Sequence, residues 1–120
     1  MPVRAIRGAV CLQRDDPQEM REAVAELLTA MLARNSVTTD EVVSVLLTST
    51  PDLVSAFPAL AARDCGFSEV PLMCAQEIDV QGALARVVRV MMHVDIDRPR
   101  VQIEHVYLRG AQALRPDLQP

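Results

Sequence analysis

Two hydrophobic periods divide the chain into strands and helices. Residues 2–13 alternate loosely and are rich in valine and isoleucine, which predicts a strand; Gly8 inside it marks a bulge or a close backbone approach. Asp16, Pro17 and Glu19 then fit an N-cap, a first helical position and the third position of a capping box. Met20, Val24, Leu27, Leu28, Met31 and Leu32 follow as one apolar stripe at helical spacing, so a helix is predicted over 17–34 with Asn35 as its left-handed stop. The apolar, β-branched run 41–50 predicts a buried strand. Residues 56–66 predict a short helix with Pro58 near its start and Gly66 at its end, and 69–74 a short strand. The longest strand signal covers 83–96. In it Arg86, Val88, Val90, Met92 and Val94 share one face, and Val87, Arg89, Met91, His93 and Asp95 share the other. Residues 105–114 predict a last strand, with Gly110 as a break within it.

The order strand, helix, strand, helix, then strands is that of an α+β fold: a mixed β-sheet with two helices packed on one face. A chain of 120 residues has enough surface to bury one core, so residues 1–120 read as a single domain. Two helices cannot cover both faces of such a sheet. Association of identical copies with closed symmetry is the expected cover for the second face.

Composition narrows the function. Half the residues are apolar, which excludes disorder. A formal net charge of −4 disfavours binding to nucleic-acid phosphates. All 12 basic residues are arginine, so no lysine Schiff base is available and any anion site must be built from guanidinium forks. The aromatic residues are Phe57, Phe67 and Tyr107, too few for a stacking platform. Cys11, Cys65 and Cys74 are far apart and lack CxxC spacing. The N-terminus has no long apolar leader and no stretch reaches membrane-spanning length, so a cytoplasmic protein with reduced thiols is expected.

The sequence contains no GxSxG, HExxH, GxGxxG or P-loop, and Cys74 has no recognisable base partner. His93 and His105 stand alone without metal-ligand spacing. An enzyme of this composition is expected to work without cofactor, metal or nucleophile. What stands out is charge inside apolar strands: Arg7 in "VRAIRGAV", Glu77 after "PLMCAQ" and Arg89 within "RVVRVMM". Such charges are costly unless paired or facing a polar cavity. An exposed strand face or a structural ion pair between Glu77 and an arginine is the plainer alternative.

The ordered motifs "IRGA" (6–9), "TPDL…AFPA" (50–59), "VPLMCAQEIDV" (70–80), "RVMMHV" (89–94), "HVYL" (105–108) and "LRPDL" (114–118) carry a specific resemblance. From about residue 3 to residue 118 the chain resembles the monofunctional chorismate mutases of the trimeric bacterial AroH type. The resemblance implies a homotrimer with a barrel-like core and active sites at subunit interfaces. It also implies a cofactor-free Claisen rearrangement of chorismate to prephenate, on the route to phenylalanine and tyrosine. The substrate carries two carboxylates, and its ether oxygen gains negative charge as its bond lengthens, a demand arginines can meet.

By the same resemblance, Arg89 would sit at the ether oxygen and also reach a side-chain carboxylate. Arg7 would grip that carboxylate, with the Tyr107 hydroxyl nearby. Glu77 would accept from the ring hydroxyl, which Cys74 would also touch. Phe57 and Ala59 would come from a neighbouring subunit as pocket wall. Arg63 and Arg115 would hold or gate the ring carboxylate near the entrance, and Met73 and Leu114 would add further substrate contacts. Leu60 stands where the family often has lysine, so one rim cation is missing, and a tail ending two residues past Leu118 would be short. The rival reading is a non-catalytic trimeric module that binds a small anion or regulates. Such a module would use the arginines but has no use for Glu77 beside a dianion.

Overall fold

The computed structural model describes residues 2–114. Its sheet comprises β1 (Val3–Cys11), β2 (Val42–Ser49), β3 (Leu72–Gln76), β4 (Val87–Asp95) and β5 (Val106–Leu108), in the spatial order β3-β2-β4-β1-β5. Strand β4 is central and antiparallel to both β1 and β2, while β3 runs parallel to β2 and β5 parallel to β1. The helices α1 (Pro17–Arg34) and α2 (Pro58–Ala62) lie on one side, giving the mixed α+β sheet that the periodicity predicts. No helix among the described residues is long and apolar enough to cross a membrane.

Alternation in β4 sorts the two faces. Val88, Val90, Met92 and Val94 are buried with Ile6, Val10, Leu47 and Val106 beneath Leu27, Leu28 and Met31 of α1. At 25–30 cal/mol per Å² of apolar surface removed from water, each such side chain contributes about 1.5–3 kcal/mol. Helix α1 starts at Asp16, whose carboxylate accepts from the Glu19 backbone N–H at 2.9 Å. The return arm of the expected capping box is displaced, because the Glu19 carboxylate accepts from the N–H groups of Gln13 and Arg14. Its other end differs from the left-handed stop expected at Asn35. Asn35 has φ −109°, and the left-handed residue is Ser36 at φ 51°. Asn35 is instead a buried clamp. Its amide donates to Met31 O and Glu104 O at 2.8 and 2.9 Å and accepts from Glu104 N–H at 2.8 Å. The end of α1 is thereby tied to the segment leading into β5.

Several boundaries moved for physical reasons. Residues 83–86, apolar enough to read as strand, lie outside β4. The neighbouring strands stop at Cys11 and Ser49, opposite Val87 and Val88, and backbone bonding ends just beyond, with Leu12 N–H on Arg86 O at 2.8 Å and Thr50 N–H on Val87 O at 3.0 Å. The predicted 105–114 strand is pairable only over Val106–Leu108. Arg109 and Gly110, at φ 54° and 93°, turn the chain into a 3-10 turn over Ala111–Leu114. The predicted helix 56–66 is regular only through Ala62, then widens through Arg63–Phe67, where Gly66 reaches φ 110°. Strand β3 is shifted to 72–76 from the expected 69–74.

Gly8 is the close approach and not a bulge: it pairs in register with Val90 and Val106. A Cβ there would meet Met31 Sδ at 2.6 Å and Leu27 Cδ1 at 3.1 Å. The irregularity in pairing lies in β2, between Val42 and Ser44. Helix α1 thus sits so close on β1 that a Cβ at residue 8 would have to push aside the ends of the Met31 and Leu27 side chains. Gly8→Ala is expected to lower stability by about 1 kcal/mol, the low end of the overpacking range, because the side-chain ends can give way. Urea denaturation at fixed protein concentration measures it, and an unchanged midpoint is the result that contradicts this packing.

Candidate active site

The face of the sheet opposite the helices carries the charged residues. Register places Ala75, Thr48, Arg89, Ala9 and Tyr107 in one row across β3, β2, β4, β1 and β5. The adjacent row holds Met73, Leu46, Met91 and Arg7. Ala9, lying between Arg89 and Tyr107, is too small to fill its position. The result is a cavity of about 200 Å³ lined by Arg7, Ala9, Leu46, Thr48, Glu77, Arg89, Met91 and Tyr107.

Glu77 follows the end of β3 and extends its ladder, donating its backbone N–H to Ser49 O at 2.9 Å. One carboxylate oxygen, Oε2, accepts the Thr48 hydroxyl. The other, Oε1, lies 3.8 Å from Arg89 Nε. That nitrogen is buried and has no hydrogen-bond partner among the described residues, although the Arg89 side chain as a whole is 43% exposed. A contact of 3.8 Å is a Coulombic pairing beyond hydrogen-bond range. The Arg89 Nε–H is therefore a donor held ready, since an unpaired buried donor gains from any acceptor brought to it. Tyr107 is 8% exposed and packs on Ala9, Val87 and Ala111, with Leu114 alongside. The Arg7 backbone N–H donates to His105 Nδ1 at 2.9 Å, so that ring nitrogen carries a lone pair.

One chain thus brings Arg7, Glu77, Arg89 and Tyr107 together and leaves the other expected residues elsewhere. Cys74 pairs with Leu47, which turns its thiol to the helix side, where Sγ accepts from Ala59 N–H at 3.3 Å in the uncapped first turn of α2. Cys74 and Phe57 line a groove of about 510 Å³ on the flank of β3, with Leu53, Ala56 and Gln76. Phe57 is 74% exposed. Met73 is exposed beside Leu46, and Arg63 is exposed at the end of α2. Arg115 lies outside the described residues. Thr48, Ala9, Leu46 and Met91 were not singled out in the sequence.

A roomier hollow of about 750 Å³ near the start of α1 is lined by Asp16, Glu19 and Glu22 with Arg14 and Arg109. Its three carboxylates suit an anionic ligand poorly, so volume does not identify the site here. Among the described residues no cluster of three His, Cys, Asp or Glu side chains could hold a metal ion. Burial raises the Cys11 thiol, an effect nearby Arg86 partly offsets, and burial raises Cys65 as well, so both stay protonated and weakly nucleophilic at neutral pH.

The family model for chorismate mutase type I matches residues 3–118. The chain belongs to this family. It is 47% identical to chorismate mutase AroH of Thermus thermophilus over 118 residues, 98% of this chain and 97% of that protein. It is 44% identical to chorismate mutase AroH of Bacillus subtilis (strain 168) over 119 residues, 98% and 94% of the two chains. The solved structure of a chorismate mutase from Clostridium thermocellum superposes with a TM-score of 0.89 at 43% identity, covering 91% of this chain and 97% of that one.

Asp15 ties down the loop that leads to Phe57. That carboxylate accepts from the backbone N–H groups of Val54 and Ser55 at 3.1 Å each and holds the loop before α2. Hydrogen bonding from the Ser55 side chain, then from the Val54 backbone, lowers the Asp15 pKa below the ordinary aspartate value. A lowered folded-state pKa means the loop contact is fully present above the unfolded value, about 3.9, and is lost as pH falls through the folded one. Amide NMR shifts of Val54 and Ser55 should therefore titrate with a midpoint under about 3.9. A midpoint at or above that value contradicts the anchor.

Proposed function

We propose that the cavity on the helix-free face is a chorismate mutase active site in which chorismate rearranges to prephenate. Family membership makes the chain an isomerase of aromatic amino acid biosynthesis. The observation that carries the reading of the site is the buried Arg89 Nε–H beside Glu77, unpartnered among the described residues. The rearrangement is one cyclic shift of electrons. The ether C–O bond breaks as a C–C bond forms, with no proton to transfer and no covalent intermediate. Two demands remain: folding the flexible enolpyruvyl side chain over the ring, and stabilising the charge that builds on the ether oxygen.

Arg89 answers the second demand. Its guanidinium is charged at every working pH and is already oriented, so no reorganisation is needed as the bond lengthens. Arg7 and Tyr107 grip the side-chain carboxylate and hold the compact conformer. Glu77 accepts from the ring hydroxyl. Its negative charge also favours the ring, which becomes electron-poor as the ether oxygen leaves. A passive anion binder gains nothing from a carboxylate at this point, which is why Glu77 favours catalysis over binding alone.

The complete site lies between copies in a homotrimer. Two features support this. Leu46 and Met73, paired in register on the face without helices, are exposed at 37% and 67%, an apolar patch suited to burial against another copy. The groove lined by Phe57 and Cys74 lies on the outer flank of β3 and shares no lining residue with the Arg89 cavity of its own chain, which suits it to wall that of a neighbour. Arg63, Met73, Ala59, Leu114 and Arg115 complete the wall and entrance on this reading. The free thiols fit a cytoplasmic setting.

Removing one preorganised oxyanion donor costs about 10²–10³ in rate. Arg89→Ala should accordingly lower kcat about a thousandfold or more with the fold intact by circular dichroism, and Arg89→Lys should restore part of the loss, because an ammonium keeps the charge without the fork. Retention of a tenth of wild-type kcat by Arg89→Ala would remove it as the central electrostatic group. A reaction without proton transfer also predicts a flat kcat between about pH 6 and 9, within the range between the reference carboxylate and phenol values. A bell centred near neutrality points to a general base instead. Light scattering should give three times the 13.2 kDa chain mass, and an active monomer is incompatible with a shared site.

A further inference from the structure

Glu77 and Arg89 present a problem that the proposed chemistry does not solve by itself. Opposite charges at this separation tend to close into a two-pronged ion pair, the preferred geometry for guanidinium and carboxylate. Such a pair would satisfy Arg89 from within the protein and take from the ether oxygen the donor meant for it. The structure is not in that state. Glu77 Oε1 lies 3.8 Å from Arg89 Nε, which has no hydrogen bond among the described residues. The second oxygen, Oε2, is held by the Thr48 hydroxyl.

We infer that Thr48 is a positioning residue for the reaction: its hydroxyl holds back one oxygen of Glu77, keeping the carboxylate oriented and Arg89 unquenched. The inference rests on the proposed roles of Glu77 and Arg89. Three further observations support it. Thr48 is the register partner of Arg89 across the β2–β4 ladder, on the strand that lies between β4 and the β3 edge that Glu77 extends. It is β-branched, and its χ1 is restricted in a strand, which narrows where the hydroxyl can point. The Glu77 main chain is fixed to the same strand one residue on, through its N–H to Ser49 O at 2.9 Å. The carboxylate is therefore clamped to β2 at its backbone and at one oxygen, leaving Oε1 free for the substrate hydroxyl. Thr48 acts through Glu77 and is not itself placed at the reacting atoms.

The test is steady-state kinetics on chorismate with Thr48→Val, Thr48→Ser, Glu77→Ala and the double variant Thr48→Val/Glu77→Ala. Valine keeps the shape of threonine and removes the hydroxyl. A hydrogen bond to a charged group is worth enough to predict that Thr48→Val lowers kcat about tenfold or more, while KM changes far less. Thr48→Ser should recover most of the loss, since it restores the hydroxyl. In the Glu77→Ala background the valine substitution should cost nothing further, because its target is gone. Full additivity in the double variant overturns the inference and makes Thr48 an independent contact. Wild-type kcat in Thr48→Val together with a loss in Glu77→Ala overturns the inference alone. Wild-type kcat in Glu77→Ala overturns the underlying reading of the site and the inference with it. Loss of circular dichroism in Thr48→Val without recovery by serine reduces Thr48 to a structural residue, which also overturns it.

Discussion

Strand β4 is the constraint on which the rest of the molecule depends. It is hydrogen-bonded on both sides, to β1 along its whole length and to β2 over most of it, so none of its nine residues can rotate away from its assigned face. One face must be apolar because α1 lies on it, and Val88, Val90, Met92 and Val94 meet that demand. The other face is then obliged to carry Arg89. A guanidinium on a flexible loop could choose its partner. On this strand it is held by two neighbours, and what surrounds it is set by the registers of β1 and β2.

Those registers turn a charged residue into a site. Ala9 and Thr48 flank Arg89 from either side, and Tyr107 follows Ala9 across the β1–β5 pairing. Small, hydroxyl-bearing and phenolic side chains around one cation leave a hollow with directional donors, where three larger aliphatic residues would have filled it. The same geometry explains why Arg89 is tolerated. Its Nε is buried, but Glu77 lies near and the outer part of the guanidinium reaches solvent, so the full cost of desolvating an isolated charge is avoided.

The two sides of the sheet are coupled through short connections. Asn35 joins the end of α1 to Glu104, one residue before His105, whose ring accepts the Arg7 backbone N–H. Gly8, beside Arg7, admits α1 to van der Waals contact with β1. The packing on the helix side therefore bears directly on how Arg7 is held on the other. Asp15 plays the corresponding part for the loop that presents Phe57.

The sequence by itself determined the helix at 17–34, the two faces of the long central strand, the α+β layout and the three charges Arg7, Glu77 and Arg89. Each is written in local periodicity or in the cost of a charge within an apolar strand, and neither needs knowledge of distant residues. The motif order also determined the family, which no period could have shown. Tertiary structure decided the rest. Strand ends depend on whether a partner strand is present, so residues 83–86 and 109–114 read as strand and lie outside the sheet. Asn35 became a buried clamp because Glu104, 69 residues away, offers both a donor and an acceptor. Cys74 faces the helices, because the parallel pairing of β3 with β2 puts it opposite Leu47. Thr48 entered the site through register alone. Nothing about a threonine in a valine- and leucine-rich strand marks it, and only the strand pairing puts it beside Arg89 with its hydroxyl on the Glu77 carboxylate.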